Sequence, residues 1–372
     1  MEPGPSVGRA VRVPYVDLGA EHKQLREELL EAVARVFDHG QFILGPEVRE
    51  LEHALARRLS VASTVGVSSG TDALALALRA RGIGPGDEVI TVSHSFVATA
   101  AAIGLVGATP VFVDIDPDTM VMSAPRVASC VTERTRAVLP VHLNGIPCDL
   151  DALEEICVSH RLALIEDCAQ ALGARWGKRP VGSTGLGAFS LHPLKILAAC
   201  GDAGVVAVRD PRDDEILRQL RNLGLVDRDR CGTLSGNSRL DTVQAAILLV
   251  KLGHLDQWQD ARRAHQKAYE EALSGVVRFP RLPPEAQPVV SCLAVRHPER
   301  DRILEVARQR GVDLKIHYPI AIHQQPPFAA CPRDDLVETE RTVREIFSLP
   351  VSPTLTAVQR DFVIETIREA VA

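Results

Sequence analysis

The sequence predicts an α/β protein built on a mainly parallel, doubly wound sheet. Three observations support this fold class. Short β-branched runs alternate with alanine- and leucine-rich stretches through the first two-thirds of the 372 residues. The β-branched runs are apolar on both faces, as strands between two layers of helices are. The alternation itself is the pattern that βαβ units leave in a sequence.

The strand and helix signals follow one another in a regular order. The run "STVGV" predicts a strand, and "TDALALALRA" after it predicts a helix. The next strand signal, "EVITV", precedes the helical stretch "VATAAAIGLVG". The remaining strand signals of this part are "PVFVDI", "AVLPVHL", "LALIED", "AFSL" and "VVAV". Because helices separate the early strands, we expect most of them to lie parallel in the sheet.

The pattern changes near residue 252. A long helical stretch, "LDTVQAAILLVKLGHLDQWQDARRAHQKAYEEAL", crosses this point, and shorter elements follow it. We predict a large domain over residues 1–251 and a smaller α+β domain over residues 252–372. The signals after the long helix are strands at "PVVSCLAVRH" and "VDLKIHYP" and helices at "RDRILEVARQR" and "TAVQRDFVIETIREAVA".

Charge and hydropathy exclude several classes of protein. A net charge of −6 provides no basic field for nucleic acid or for an anionic membrane. No apolar run approaches the roughly 18 residues that span a bilayer. Residues 1–14 lack the apolar core of a signal peptide. We therefore expect a cytoplasmic protein with no nucleic-acid or membrane partner.

The cysteines and histidines show no metal-binding pattern. The eight cysteines include no C-x-x-C pair, and the twelve histidines include no H-E-x-x-H. His317 and His323 are close in sequence but lack the spacing of metal ligands. We expect reduced, mostly buried thiols and no metal site.

The start of the helix after "STVGV" is the first candidate for a binding site, because open parallel sheets bind ligands beyond the carboxyl ends of their strands. Ser69, Gly70 and Thr71 lie there. Free backbone N–H groups and the helix dipole favour an anion such as phosphate at this position. Helix capping by Ser69 or Thr71 is the alternative, and this stretch taken alone favours it.

Two further strands are followed by residues that could take part in binding or catalysis. Phe96 follows "EVITV" and is suited either to stack on a planar ring or to pack in the core. Glu166 and Asp167 end the strand "LALIED", where buried carboxylates are costly unless they are paired. Asp167 therefore indicates a cationic partner, whereas a surface loop would need none, and both interpretations stay open.

Lys195 lies in the apolar stretch "AFSLHPLKILAACGDAG", shortly after Ser190. A lysine there is either an ordinary solvated charge or an amine held in a cavity as a nucleophile. Combined with an anion site, an aromatic face and a carboxylate, the second interpretation matches the needs of one cofactor. Pyridoxal phosphate requires a phosphate site, a stacking face, an acid for its pyridine nitrogen and a lysine for its aldehyde.

A series of segments from "VPYVDL" to "FSLPVSPTLTAVQ" follows a known pattern over nearly the whole chain. They include "GQFILGPEVRELE", "GVSSGTDALALAL", "GPGDEVITVSHSFVATA", "PVFVDIDP", "TRAVLPVHLNG", "LIEDCAQALGA", "GSTGLGAFSLHPLK", "GNSRLDTVQAAILLVKL" and "IHYPIAIHQQP". In this order and combination they resemble the DegT/DnrJ/EryC1/StrS family of sugar aminotransferases, which are fold-type I pyridoxal-phosphate enzymes. The combination is far more specific than any single segment.

The resemblance implies a role for each candidate residue. Lys195 would be the Schiff-base lysine, and Asp167 would be the partner of the pyridine nitrogen. Gln170 would lie near the phenolic oxygen of the cofactor, and Phe96 would stack on its ring. The residues implied to hold the phosphate are Gly70, Thr71 and Ser190.

The resemblance also implies roles for three positions in the second half of the chain. Asn237, in "GNSRLD", resembles the residue that reaches the phosphate of the neighbouring subunit's cofactor, which implies a homodimer with shared active sites. Arg239 and Tyr318 are implied substrate contacts, and a structural ion pair is the alternative for Arg239.

The family reaction implied for this chain is a ping-pong transfer of an amino group from L-glutamate or L-glutamine to a keto sugar. The segments favour a nucleotide-linked 3-ketosugar as the acceptor. A 4-ketosugar or a keto-cyclitol is the alternative acceptor, and a non-catalytic regulator of the same fold is the alternative class. Cys168, Ala203 and Ala321 depart from the usual family residues, which affects the shape of the substrate pocket and not the type of reaction.

Overall fold

The computed structural model describes residues 12–372, which fold into twelve α-helices and twelve β-strands. The helices are α1 Leu18–Gln24, α2 Arg26–His39, α3 Pro46–Leu59, α4 Gly70–Ala80, α5 Ala98–Leu105, α6 Ala124–Ser129, α7 Leu150–His160, α8 Pro211–Leu220, α9 Thr242–Leu273, α10 Arg300–Arg310, α11 Val337–Glu345 and α12 Ala357–Val371. The strands are β1 Ser63–Val67, β2 Glu88–Val92, β3 Thr109–Val113, β4 Thr135–Val138, β5 Ala163–Asp167, β6 Arg175–Trp176, β7 Arg179–Pro180, β8 Leu186–Ser190, β9 Gly204–Val208, β10 Ala286–Gln287, β11 Leu293–Arg296 and β12 Ile346–Leu349. The signal-peptide prediction concerns residues 1–14, of which 1–11 lie outside the described residues.

Among residues 12–372, seven strands form the central sheet in the order β1-β9-β8-β5-β4-β2-β3. Strand β9 pairs antiparallel with both of its neighbours, and the other adjacent pairs are parallel. The mainly parallel sheet that the sequence predicts is therefore confirmed. The strand expected over "AVLPVHL" is shorter, because Pro140 has no N–H to continue the ladder and only Val141 pairs further on, with Asp167.

Alternate side chains of the sheet enter two separate buried clusters. Val206 of β9 belongs to the cluster that includes Leu74 of α4. Its neighbour Val205 belongs to the cluster that includes Leu51 of α3 and Leu248 of α9. Successive residues of a strand point to opposite faces, so helices cover the sheet on both sides. This two-sided burial accounts for the continuous apolar runs in the sequence.

The C-terminal part contains a small antiparallel sheet of β11 and β12. A third buried cluster joins this sheet to α10 and α12 through Val295, Phe347, Ile303 and Ile367. Tyr269 of α9 is fully buried in the same cluster. The strand and helix expected at "PVVSCLAVRH" and at the C-terminal end are therefore present.

The strand expected at "VDLKIHYP" is absent from the described residues, and this prediction is wrong. The segment makes single pairings with two different neighbours, Val312 with Val13 and Lys315 with Ser348. Because no one strand runs beside it, no ladder forms. Its last residues, His317 and Tyr318, line the cleft described below.

Helix α9 crosses the expected boundary between residues 251 and 252 without interruption. Its first half packs on α2 and α3, and it also contacts α12. The division into domains over 1–251 and 252–372 stays a prediction. Within residues 12–372, none of the helices combines the length and the apolar character needed to cross a membrane.

Candidate active site

A cleft of about 380 Å³ opens where the carboxyl ends of the central strands meet. Its walls come from the segments that follow β1, β2, β4, β5 and β8, with two segments of the C-terminal part. Parallel strands end at one edge of a sheet, so residues distant in sequence converge there. The expected site residues that line the cleft are Gly70, Thr71, Phe96, Asp167, Gln170, Ser190, Lys195 and Tyr318.

Asp167 ends β5 and is 5% exposed, so the surface-loop interpretation is wrong. Thr99 Oγ1 donates to its Oδ2 over 2.8 Å, and the Ala169 N–H donates to its Oδ1 over 3.1 Å. Burial nevertheless raises the pKa of Asp167, although these hydrogen bonds and the charge of Lys195 lower it. The carboxylate therefore lacks a full cationic partner of its own and would be stabilised by a cation in the cleft.

Lys195 lies in the loop after β8, and its backbone N–H bonds to the His192 carbonyl over 2.9 Å. Burial lowers the pKa of its amine, while negative charge on Cys292 or Asp167 would raise it. The side chain is thus a cleft amine and not a solvated surface charge. A buried amine with a lowered pKa is suited to act as a nucleophile and as a base.

The start of α4 combines the two interpretations that the sequence left open. Ser69 is the N-cap, and its hydroxyl accepts from the Asp72 N–H over 3.1 Å. The first N–H groups of a helix have no partner inside the helix, which leaves those of Gly70 and Thr71 for an anion. Gly70 is also required by close packing, because a Cβ there would lie 2.6 Å from Ser190 Cβ.

Phe96 is 55% exposed, so it does not pack in the core. Its ring centroid lies 5.6 Å from that of Tyr318. Gln170 connects the walls, since its Oε1 accepts from the Asn144 N–H over 2.6 Å and its Nε2 donates to the Tyr318 hydroxyl over 3.2 Å. Burial raises the pKa of Tyr318, so its hydroxyl is a neutral donor or acceptor at neutral pH.

Asn237 and Arg239 are not among the residues that line the cleft of this chain. Asn237 is exposed, and its backbone pairs with Asn222. Arg239 Nη1 donates to the Asn222 side-chain oxygen over 3.1 Å, and its Nε is buried with no hydrogen-bond partner among the described residues. The expected roles of both residues stay predictions.

The cleft contains residues that the sequence analysis did not select, namely Thr99, His192, Cys292 and His317. Thr99 follows Phe96 by three residues, and His192 lies three residues before Lys195. Both could have been found from their closeness in sequence to residues already selected. Burial and the charge of Lys195 lower the pKa of His317 to about 4. Cys292 reaches the cleft from another part of the fold and carried no signal.

Glu166 precedes Asp167 but faces a different environment. It is fully buried and lies with His142 and Cys168, whose potential ligand atoms are within 4.8 Å of one another. His142 Nε2 donates to Glu166 over 3.1 Å, and His142 Nδ1 accepts from a backbone N–H. The backbone donors to Glu166 are Gly182, Thr184 and Gly185, at 2.7, 3.0 and 3.3 Å. These bonds occupy the oxygens that a metal would need, and the expectation of no metal stays a prediction.

The fold and the cleft together define a class, the fold-type I transferases, in which the carboxyl ends of a mainly parallel sheet hold the reacting groups. The particular family follows from comparison with known proteins. The chain belongs to the DegT/DnrJ/EryC1/StrS aminotransferase family, whose family model matches residues 23–368. The resemblance noted in the sequence is confirmed, and so is the prediction that the chain is an aminotransferase.

Similar proteins cover almost the whole chain. A dTDP-3-amino-3,4,6-trideoxy-alpha-D-glucose transaminase from Streptomyces venezuelae is 42% identical over 363 residues, with 96% of this chain and 96% of the relative covered. A UDP-N-acetyl-3-dehydro-alpha-D-glucosamine 3-aminotransferase from Acidithiobacillus ferrooxidans is 40% identical over 358 residues, covering 96% and 97%. The crystal structure of S. venezuelae DesV in complex with a ketimine intermediate has a TM-score of 0.95 at 42% identity, covering 97% of this chain and 99% of that chain.

Replacement of Gly70 by alanine should destabilise the protein, because the added Cβ would lie 2.6 Å from Ser190 Cβ. Overpacking of this kind costs about 1–3 kcal/mol, and we expect the free energy of unfolding to fall by that amount in a denaturant titration. Gly104→Ala is the control, since nothing lies within 4 Å of a Cβ there and alanine favours helix α5. Equal losses in the two variants would contradict this account of Gly70.

Proposed function

We propose that the protein is a pyridoxal-phosphate-dependent aminotransferase that transfers an amino group from L-glutamate or L-glutamine to a nucleotide-linked 3-ketosugar. The observation that carries the proposal is a pair of buried ionisable groups in one cleft. Burial raises the pKa of Asp167, so a cationic partner is needed to stabilise its ionised form. Burial lowers the pKa of Lys195 and so favours its neutral amine. A protonated pyridine nitrogen and an aldehyde would satisfy these two groups.

The remaining cleft residues fit the other parts of this cofactor. The N–H groups of Gly70 and Thr71 and the hydroxyl of Ser190 would hold the phosphate at the start of α4. The exposed ring of Phe96 would stack on the pyridine ring. Gln170, held by its contacts with neighbouring residues, would lie beside the phenolic oxygen.

The chain's own residues would hold and move the protons of the reaction. Bound pyridoxal phosphate supplies the electron sink that allows the Cα–H bond of the donor to break. Lys195 Nζ, whose neutral form burial favours, takes that proton from the donor Cα. Nζ would then release this proton to the cofactor, and in the second half-reaction it would take it back and deliver it to the sugar carbon that becomes the amine carbon. The ionised Asp167 carboxylate would accept a hydrogen bond from the protonated pyridine nitrogen and stabilise its charge throughout.

The proposed acceptor is supported by the names of the similar proteins. The relatives from S. venezuelae and A. ferrooxidans are both named for a group at position 3 of a nucleotide-linked sugar. A 4-ketosugar or a keto-cyclitol is the alternative acceptor. Tyr318 and Arg239 are the proposed substrate contacts, and the planar guanidinium of Arg239 suits a carboxylate. Because Arg239 does not line its own cleft, it would serve the cleft of a second subunit.

We also propose a homodimer with shared active sites. Asn237 is exposed and outside its own cleft, as a residue that reaches a partner's phosphate would be. Two segments near it expose large apolar side chains, Phe37, Phe42 and Ile43 in one and Leu223, Val226 and Leu234 in the other. Phe37 and Phe42 contact each other, Ile43 pairs with Asp241, and the Leu223 N–H bonds to the Gly236 carbonyl, so both segments adjoin the one that carries Asn237. Exposed apolar side chains beside such a residue are suited to a protein interface. The cytoplasmic location expected from the sequence stays a prediction.

Borohydride treatment of the protein loaded with pyridoxal phosphate should fix the cofactor on Lys195, because it is the lysine that lines the cleft among residues 12–372. Peptide mass mapping locates the label. A label on the exposed Lys178 or on Lys251 would contradict the assignment. Lys195→Ala should lower turnover by roughly 10³-fold, the usual effect of losing a general base, without loss of the fold.

Mixed dimers test the shared site. Coexpressed Lys195→Ala and Asn237→Ala subunits, separated by different tags, should form a heterodimer with one intact site and about half of the wild-type activity, because one of two symmetric sites keeps both residues. Each homodimeric variant should be far less active. Full activity of a monomer in analytical ultracentrifugation would refute the shared site.

A panel of ketones tests the acceptor. Protein first converted by L-glutamate to its amino-loaded form is mixed with 3-keto nucleotide sugars, 4-keto nucleotide sugars and keto-cyclitols, and the aminated product is measured by mass spectrometry. We expect product with a 3-keto nucleotide sugar. Product with the 4-ketosugar alone would reject the carbon position, and product with the cyclitol alone would reject the nucleotide sugar.

A further inference from the structure

Two buried hydroxyl groups form a chain that ends on Asp167. Thr99 Oγ1 donates to Asp167 Oδ2 over 2.8 Å, and Ser95 Oγ lies 2.8 Å from Thr99 Oγ1. Thr99 is 1% exposed and Ser95 is 3% exposed, so water has little access to either. A hydroxyl has a single hydrogen, and Thr99 uses it on the carboxylate. Ser95 must therefore donate to Thr99 while Asp167 is ionised.

The other groups around Asp167 do not replace this chain. Its Oδ1 accepts from the Ala169 N–H, which leaves Oδ2 to Thr99. Lys195 lowers the pKa of Asp167 only while it is charged, and it must lose that charge to act as a base. The pKa of His142 is raised, but its Nε2 pairs with the Glu166 carboxylate and not with Asp167. The Tyr318 phenol is neutral because burial raises its pKa. The preceding carboxylate, Glu166, is bound by His142 and by backbone N–H groups.

We propose that Thr99, supported by Ser95, is a positioning residue that holds Asp167 in its ionised form and in the orientation that receives the cofactor nitrogen. This inference rests on the proposed function. A hydrogen bond to an ionised group is stronger than one to its neutral form, so Thr99 favours the carboxylate over the carboxylic acid. Ser95 directly precedes Phe96, so these two hydrogen bonds also connect the backbone next to the stacking residue with Asp167.

Loss of the Thr99 hydroxyl should move the acid limit of cofactor binding. In Thr99→Val the Oδ2 atom faces a methyl group that cannot donate, and the unpaired carboxylate is disfavoured. A protonated Asp167 cannot pair with a protonated pyridine nitrogen, so affinity for pyridoxal phosphate should fall at higher pH than in the wild type. We expect the midpoint of this loss to rise by about one pH unit, the usual size of one charge-assisted hydrogen bond.

The experiment measures the dissociation constant of pyridoxal phosphate from pH 5 to 9 by absorbance titration, with no substrate present, in wild type and three variants. We expect the pH midpoint to rise most in Thr99→Val and by a smaller amount in Ser95→Ala. It should not change in Thr99→Ser, because serine keeps the hydroxyl donor. The titration of the cofactor itself is common to all four proteins and cancels in the comparison.

The outcomes separate this inference from the proposed function. A wild-type protein that binds no pyridoxal phosphate contradicts the function itself. Cofactor binding with the same pH midpoint in Thr99→Val and Thr99→Ser would overturn the role of Thr99 alone, and so would an affinity loss of equal size at every pH. If Thr99→Val does not fold, an unchanged midpoint in Ser95→Ala overturns the inference.

Discussion

The burial of one carboxylate, Asp167, is the constraint on which the rest of the cleft depends. An ionised carboxyl group removed from water is costly unless hydrogen bonds and a cation compensate for it. The backbone N–H of Ala169 and the hydroxyl of Thr99 supply the hydrogen bonds, and the cleft lies on the side where a cation would enter. Because β5 is central in the sheet and paired on both sides, the carboxylate cannot move away to reach solvent.

The two acids at the end of β5 show how strand geometry divides structural from chemical roles. Successive side chains of a strand point to opposite faces. Glu166 points to the face where His142 and the turn at residues 182–185 bind it. Both of its carboxylate oxygens therefore accept hydrogen bonds from within the fold. These bonds hold the pKa of Glu166 below its ordinary value, although burial alone would raise it. Asp167 points to the cleft, and burial raises its pKa instead.

Much of the fold and of the cleft could be predicted from the sequence, because both depend on local signals. Two-sided apolar runs identify the strands, and parallel strands must end at one edge, which brings Phe96, Asp167 and Lys195 together. Residues that join the cleft through tertiary packing gave no such signal. Cys292 comes from another part of the chain, and the segment "VDLKIHYP" has a strand pattern but no continuous neighbour. Resemblance to the family supplied Asn237 and Arg239, whose roles no contact within one chain tests.

Burial acts in opposite senses on the two groups that must work at the same pH. Lys195 can take a proton only above its own pKa, and burial lowers that pKa, which extends the working range downward. Asp167 must stay ionised, and burial raises its pKa, which moves the lower limit of the range upward. Exclusion of water from the cleft therefore increases the fraction of Lys195 that is neutral and able to take a proton. It also decreases the fraction of Asp167 that is ionised and able to bind a protonated partner. Hydrogen bonds that favour the carboxylate oppose only the second effect, so they allow the cleft to exclude water without losing the charge on Asp167.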